Sequence, residues 1–76
     1  MHPKEEIAAA LAEEVGSTVR EQRERTGLRQ DELALAAGVS TRVVHQIEHG
    51  KPTSRLDSII AVLDALGLRL EISPRA

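Results

Sequence analysis

Four polar side chains cluster within the short segment GVSTRVVHQIEHGK, which covers residues 38–51: Thr41, Arg42, His45 and Gln46. The apolar residues of this segment recur at helical spacing, so they form the inner stripe of a helix and leave the four polar residues pointing outward or along its flanks. A guanidinium, a carboxamide and a hydroxyl exposed side by side supply hydrogen-bond donors and acceptors in one small area. We therefore expect this helix to present a hydrogen-bonding surface to another molecule.

Two short helices and a tight turn are predicted to hold that surface. The first helix, over 30–37, carries three small or apolar residues on one face: Leu33, Ala34 and Ala37. Gly38 then supplies a sharp turn, and Ser40 is a good N-cap for the second helix, over 41–48. A glycine and a proline just beyond that helix are typical of a helix end.

The segments on either side are also predicted to be helical. An acidic, Ala-rich helix over the first 15 residues repeats its apolar residues every four positions. Gly16 and Ser17 are expected to interrupt it before a charged helix over 18–26. A last helix is predicted over 55–66, where two polar residues have the spacing of a capping box, Ser54 and Asp57.

The segment LRLEIS, over 68–73, alternates apolar and polar residues, which predicts a β-strand. No other segment has strand character, so its backbone donors and acceptors would lack partners within the chain. Antiparallel pairing with a second copy about a two-fold axis at Leu70 would set Arg69 opposite Glu71 of the other chain. A frayed tail is the alternative. The predicted dimerisation residues are Leu68, Arg69, Leu70, Glu71 and Ile72.

The composition excludes several classes of site. The 76-residue chain has no Cys and three His, so disulfides are ruled out and no metal site is expected. It has no Phe, Tyr or Trp, and therefore lacks the aromatic platforms of most proteins that bind RNA or single strands, while duplex DNA remains open. Its apolar runs are too short to cross a membrane and its N-terminus does not resemble a signal peptide, so we expect a cytoplasmic protein without a cofactor.

The net charge of −2 is unevenly distributed along the chain. Residues 1–15 carry −3, residues 16–55 carry +2 and the remainder −1, so the positive excess lies in the middle, where a local contact with DNA needs it. Adjacent acids such as Glu13 and Glu14 point to different helix faces, and no phosphate-binding glycine loop occurs. We therefore do not expect an enzyme.

The segment QDELALAAGVSTRVVHQIEHGK, residues 30–51, resembles the helix-turn-helix of Cro and the phage repressors. The likeness lies in Gln30 at the start of the first helix, the small Ala34 where the helices cross and Gly38 in the turn. Positions that this family fills with apolar residues are occupied by Leu33, Ala37, Val39, Val44 and Ile47. The resemblance covers about residues 13–72.

This resemblance implies an all-α, lambda-repressor-like domain of five helices or fewer. Together with the predicted strand it divides the chain into an N-terminal helical extension (1–15), a DNA-binding domain (16–67) and a dimerisation strand with its tail (68–76). It also implies an internal ion pair between Arg23 of the first helix and Glu48 of the second motif helix.

In such proteins the second motif helix lies in the major groove of duplex DNA. By position, the base-contacting residues are Thr41, Arg42 and Gln46, with Arg42 suited to guanine and Gln46 to adenine. Arg29 replaces the usual capping Ser or Thr, so either that helix start is poorly capped or the arginine contacts a phosphate. The predicted phosphate-contacting residues are Arg29, Gln30, Ser40, Lys51, Thr53, Ser54 and Arg55.

The C-terminal segment LDALGLRLEI, residues 63–72, is similar to HipB-like antitoxins, which dimerise through such a strand. That resemblance implies a homodimer that binds a palindromic operator, represses its own operon and also binds a HipA-type kinase toxin. The alternatives are an autonomous repressor without a toxin partner and a protein-interaction module that does not bind DNA.

Overall fold

The computed structural model describes residues 3–75, and within this range it contains four helices and no strand. The described residues do not include residues 1 and 2 of the predicted N-terminal extension or residue 76 of the predicted C-terminal tail. The helices are α1 (Lys4–Arg25), α2 (Gln30–Ala37), α3 (Thr41–Glu48) and α4 (Leu56–Ala65). The prediction of an all-α domain with at most five helices is confirmed for the described residues, and the bounds predicted for α2 and α3 agree with the structure.

The long helix α1 is continuous, so the predicted interruption at Gly16 and Ser17 is wrong. Gly16 is buried against the last turn of α3, where an added Cβ would clash with the carbonyl oxygen of Ile47 and lie 2.9 Å from that of Glu48. The Ser17 hydroxyl donates to the carbonyl of Glu14 within the same helix, at 3.1 Å. Glycine therefore serves here to let two helix backbones approach each other, and the helix continues through it.

The hydrophobic core draws on all four helices. Its buried residues are Val19, Leu33, Ala34, Val44, Ile47, Val62, Leu63 and Leu66. The N-terminal half of α1 contributes little to it, because Ile7 and Leu11 remain 50% and 57% exposed. The core thus anchors the C-terminal half of α1 to the compact unit of α2, α3 and α4.

The turn between α2 and α3 fixes how the two helices cross. Gly38 has a φ of 72° and a ψ of 30°, a left-handed conformation that side chains with a Cβ rarely adopt. The N–H of Val39 donates to the carbonyl of Ala34, which closes the end of α2. Ser40 then caps α3, since its side-chain oxygen accepts from the N–H of Val43 at 3.1 Å.

The start of α4 differs from the prediction. Ser54 does not cap it, because its hydroxyl donates to the carbonyl of Lys51 at 2.8 Å, and the N-cap residue is Arg55. Asp57 accepts from the N–H of Ser58 and from Arg55 rather than from a capping position. The predicted capping box is therefore absent from this helix.

The strand predicted over 68–73 is not formed in the described part of the single chain. The N–H of Leu68 donates to the carbonyl of Leu63 at 2.8 Å, which turns the chain back at the end of α4. Beyond it Leu70 and Ile72 are 47% and 93% exposed, and Arg69 forms an ion pair with Glu71 of its own chain. The physical reason is that a strand needs a hydrogen-bonded neighbour, and no described segment of this chain supplies one.

Candidate nucleic-acid interface

The outer face of α3 carries the three residues predicted to contact bases. Val44 and Ile47 are buried on the inner face of this helix. Thr41 and Arg42 therefore face the solvent, and Gln46 is partly buried at the edge of the helix. The guanidinium of Arg42 makes no hydrogen bond or ion pair with any described residue. It therefore keeps its full set of donors for another molecule.

A shallow depression of about 230 Å³ lies beside α3 and joins it to the start of α4. Gln46 lines it from α3, together with residues from the connecting loop. These loop residues are four of the predicted phosphate contacts: Lys51, Thr53, Ser54 and Arg55. The ammonium group of Lys51 has no hydrogen-bonding or ionic partner within residues 3–75. The structure thus brings a predicted base-reading amide and a cluster of predicted phosphate ligands onto one surface.

A buried ion pair fixes α3 against α1. The guanidinium of Arg23 donates two parallel hydrogen bonds to the carboxylate of Glu48. They run from Nε to Oε2 at 2.6 Å and from the terminal nitrogen Nη2 to Oε1 at 3.0 Å. Its remaining terminal nitrogen, Nη1, donates to the carbonyl of Leu28 at 2.8 Å. The side chains of Arg23 and Glu48 are only 13% and 2% exposed. The structure therefore brings these two predicted partners together in the interior, where the planar fork suits a carboxylate.

Gln30 extends this contact to α2, because its side-chain N–H donates to Oε1 of Glu48 at 3.1 Å. Burial alone raises the pKa of the Glu48 carboxyl, but the hydrogen bonds from Arg23 and Gln30 and the charge of Arg23 outweigh it and hold that pKa below its usual value. The hydrogen bond to Glu48 raises the pKa of Arg23 in turn, against the opposing effect of burial. Both groups stay charged at neutral pH, and one carboxylate ties three helices together.

Arg29 occupies the N-cap position of α2, where its side chain has no oxygen to accept a backbone N–H. Part of the capping role passes to Glu32, whose Oε1 accepts from the N–H of Arg29 at 2.8 Å. The Arg29 guanidinium is 72% exposed and donates from Nε to Oδ1 of Asp31 at 3.0 Å. The predicted phosphate ligand is therefore in solvent but already bound to a carboxylate.

Arg55 also pairs with an aspartate at the start of α4, but through two hydrogen bonds where Arg29 makes one. Its Nε and terminal nitrogen Nη2 donate to the two carboxylate oxygens of Asp57, at 3.0 and 2.9 Å. The side chains are 80% and 67% exposed. Sequence reasoning missed both carboxylates, although the spacing Arg-x-Asp occurs at the two helix starts, as RQD and RLD. That repeated spacing is the signal by which they were detectable.

The two histidines of this region stack on each other at the end of α3. The ring centroids of His45 and His49 are 4.0 Å apart, and Nδ1 of His49 lies 2.8 Å from the carbonyl oxygen of His45. Both histidines are exposed, His45 within α3 and His49 at its C-cap.

Two further properties concern residues 3–75 only. These residues contain no cluster of three or more His, Cys, Asp or Glu side chains suited to a metal ion. None of the helices they form is both long enough and apolar enough to cross a membrane.

Comparison with known proteins identifies a family and a relative. A family model described as a helix-turn-helix domain matches residues 14–71. An uncharacterised HTH-type transcriptional regulator of Sinorhizobium fredii, y4mF, is 42% identical over 59 residues, which are 78% of this chain and 78% of that protein. The matched family range contains all of α2, α3 and α4 and the packed half of α1.

Proposed function

The chain belongs to the helix-turn-helix domain family and is a DNA-binding transcriptional regulator, and we propose that it is a repressor that binds a palindromic operator as a homodimer in the cytoplasm. One observation carries the proposal. The depression beside α3 joins Gln46 to Lys51 and Arg55, so that groups for base edges and groups for phosphates face the same side. A helix laid in the major groove needs this combination.

We assign different tasks to Arg42, on the exposed face of α3, and to Lys51, in the depression beside it. The unpaired guanidinium of Arg42 is suited to a bidentate contact with guanine, a contact that contributes about 1–3 kcal/mol of discrimination. Lys51 at the rim is suited to a phosphate, which carries no sequence information. Base preference would therefore depend on α3, and general affinity on the loop after it.

The test is to select an operator from random duplexes and to measure binding of variants to operator and random DNA over a range of salt concentrations. Arg42→Ala is expected to relax base preference at one position of each half-site. Lys51→Ala is expected to weaken binding to all sequences equally and to lower the salt slope by about 1. Arg25→Ala, on the exposed side of α1 where Arg25 pairs with Glu21, is the matched control for the loss of one positive charge. Equal losses on both DNAs for Arg42→Ala would overturn its base-reading role.

We further propose that the C-terminal segment forms the dimer contact. Leu70 and Ile72 are exposed apolar side chains on a segment whose backbone has no ladder partner among residues 3–75 of its own chain. Pairing of two copies would satisfy those backbone groups and cover the apolar side chains. Leu70→Pro is expected to yield monomers in sedimentation experiments, whereas the β-branched Leu70→Val should remain dimeric. A dimeric Leu70→Pro variant would show that the contact lies elsewhere.

The narrower proposal is that this repressor is the antitoxin of a HipBA-like operon and binds a HipA-type kinase toxin. It rests on the likeness of residues 63–72 to HipB-like antitoxins. Expression of the tagged chain with its flanking reading frames, followed by purification through high salt, tests it. A stoichiometric kinase-like partner supports the antitoxin role. Recovery of the homodimer alone favours an autonomous repressor.

A further inference from the structure

A similar side-chain arrangement occurs at the beginning of two helices, α2 and α4, with two hydrogen bonds at α4 and one at α2, where Arg29 also lies 3.8 Å from Glu32. In each, an arginine stands at the N-cap and an aspartate two residues later accepts from its Nε at 3.0 Å, as Arg29–Asp31 and Arg55–Asp57. All four side chains are more than half exposed. The hydrogen bond from the arginine is the main cause that lowers the pKa of each aspartate, so both carboxylates are ionised at neutral pH.

Both arginines belong to the predicted phosphate-contacting set, and Arg55 lines the depression that also contains Gln46 and Lys51. A guanidinium uses the same planar fork for a carboxylate as for a phosphate. While the aspartate holds that fork, the arginine offers less to DNA, and the aspartate adds a negative charge beside the approaching phosphates. Because the pairs are exposed, replacing the aspartate carboxylate with a DNA phosphate has a low free-energy cost.

We infer that Asp31 and Asp57 are latches that compete with DNA phosphates for Arg29 and Arg55 and so limit the affinity of this protein for duplex DNA. The inference rests on the proposed DNA-binding surface and adds two residues that restrain it. A latch on phosphate contacts acts on every sequence alike. It lowers affinity for operator and random DNA by the same factor and leaves the ratio between them to the base-contacting residues of α3.

The experiment measures binding of Asp31→Asn, Asp57→Asn and the double variant to operator and random duplexes by fluorescence anisotropy over a salt series. Each single substitution is expected to tighten binding to both duplexes several-fold. The dependence of log affinity on log salt is expected to steepen by up to about 0.9 for each phosphate contact released. Glu21→Gln is the matched control, because it removes the carboxylate of an exposed ion pair with Arg25 on α1 and changes the net charge equally.

A second variant separates the latch from a general effect of charge. In an Arg55→Gln background the gain from Asp57→Asn should disappear, since no guanidinium remains to be released, and Arg29→Gln should abolish the gain from Asp31→Asn. A gain no larger than that of Glu21→Gln, a gain that persists without the arginine, or no gain overturns the inference. An effect at one site alone overturns the latch at the other. A wild-type chain that binds no duplex would instead overturn the proposed function, and the latch with it.

Discussion

The Arg23–Glu48 and Arg55–Asp57 pairs join the same two chemical groups through the same bidentate geometry, yet one lies inside the fold and the other in solvent. The side chains of the first pair are 13% and 2% exposed, and those of the second 80% and 67%. The first pair is largely shielded from water, so breaking it would leave a charge with little solvation and would weaken the packing of the helices. In solvent either ion can change partner at little cost, which makes the same chemistry suitable for binding.

Glu48→Gln removes one charge of the Arg23–Glu48 pair and has the largest expected effect on stability. It leaves the Arg23 guanidinium in the interior without a counter-charge, which costs about 3–5 kcal/mol. For a domain of this size that is a large part of the free energy of unfolding. Urea unfolding measures it. The matched variant is Arg23→Gln with Glu48→Gln, which removes both charges and should recover part of the loss. A single variant with wild-type stability would mean that the pair contributes nothing to the fold.

Gly16→Ala tests the close contact between helices that keeps this pair buried. The new Cβ would lie 2.9 Å from the carbonyl oxygen of Glu48, and this oxygen belongs to the backbone, so α1 has to move away from α3. We expect a loss of about 1–3 kcal/mol, as for overpacked sites, despite the better helix propensity of alanine. Ser17→Ala is the control, since residue 17 is exposed on the same helix. Unfolding midpoints that rise in both variants would contradict the packing role of Gly16.

Local signals predicted the central part of this fold well. Gly38 and Ser40 determine the end of α2 and the start of α3 through their own backbone and side-chain preferences, and so the bounds of both helices could be read from the sequence. The continuity of α1 at Gly16 could not, because the reason for that glycine is the backbone of α3, 31 or more residues away in sequence. The strand over 68–73 fails in the single chain for a similar reason, since its partner would have to come from outside the chain.

In the candidate site, too, features set by local signals were predicted and some side-chain pairings were not. The face of α3 follows from the spacing of Val44 and Ile47, and the resemblance to phage repressors indicated the pairing of Arg23 with Glu48. The ion pairs formed by Arg29 and Arg55 were not predicted, because an arginine considered by itself predicts only a positive charge. Whether a neighbouring carboxylate neutralises it depends on rotamers that the helix start selects. The sequence therefore predicted which residues lie on the surface better than it predicted whether their charged groups are already paired.

Acidification tests the Arg23–Glu48 pair without mutation. The pKa of Glu48 is lower in the folded chain than in the unfolded one, so its stabilising contribution is complete above the unfolded pKa, near 4.3, and is lost as the pH falls through the folded value. We expect the free energy of unfolding to be steady near neutral pH and to fall below about pH 4.5. Urea unfolding at several pH values measures this, and NMR titration of the Glu48 carboxyl identifies the group. A Glu48 midpoint at or above the ordinary value would contradict it.

Asp57→Asn removes one charge of the exposed Arg55–Asp57 pair and has the smallest expected effect on folding. The bidentate bonds between Arg55 and Asp57, at 3.0 and 2.9 Å, are close in length to the 2.6 and 3.0 Å bonds between Arg23 and Glu48, but water can replace them and the two side chains lose conformational freedom when they form them. The thermal unfolding midpoint of Asp57→Asn should therefore remain within error of the wild type, while its affinity for DNA rises. A clear loss of stability would mean that this pair, too, is structural. Short distances alone therefore do not distinguish a pair that supports the fold from one that is held ready for DNA, whereas burial does.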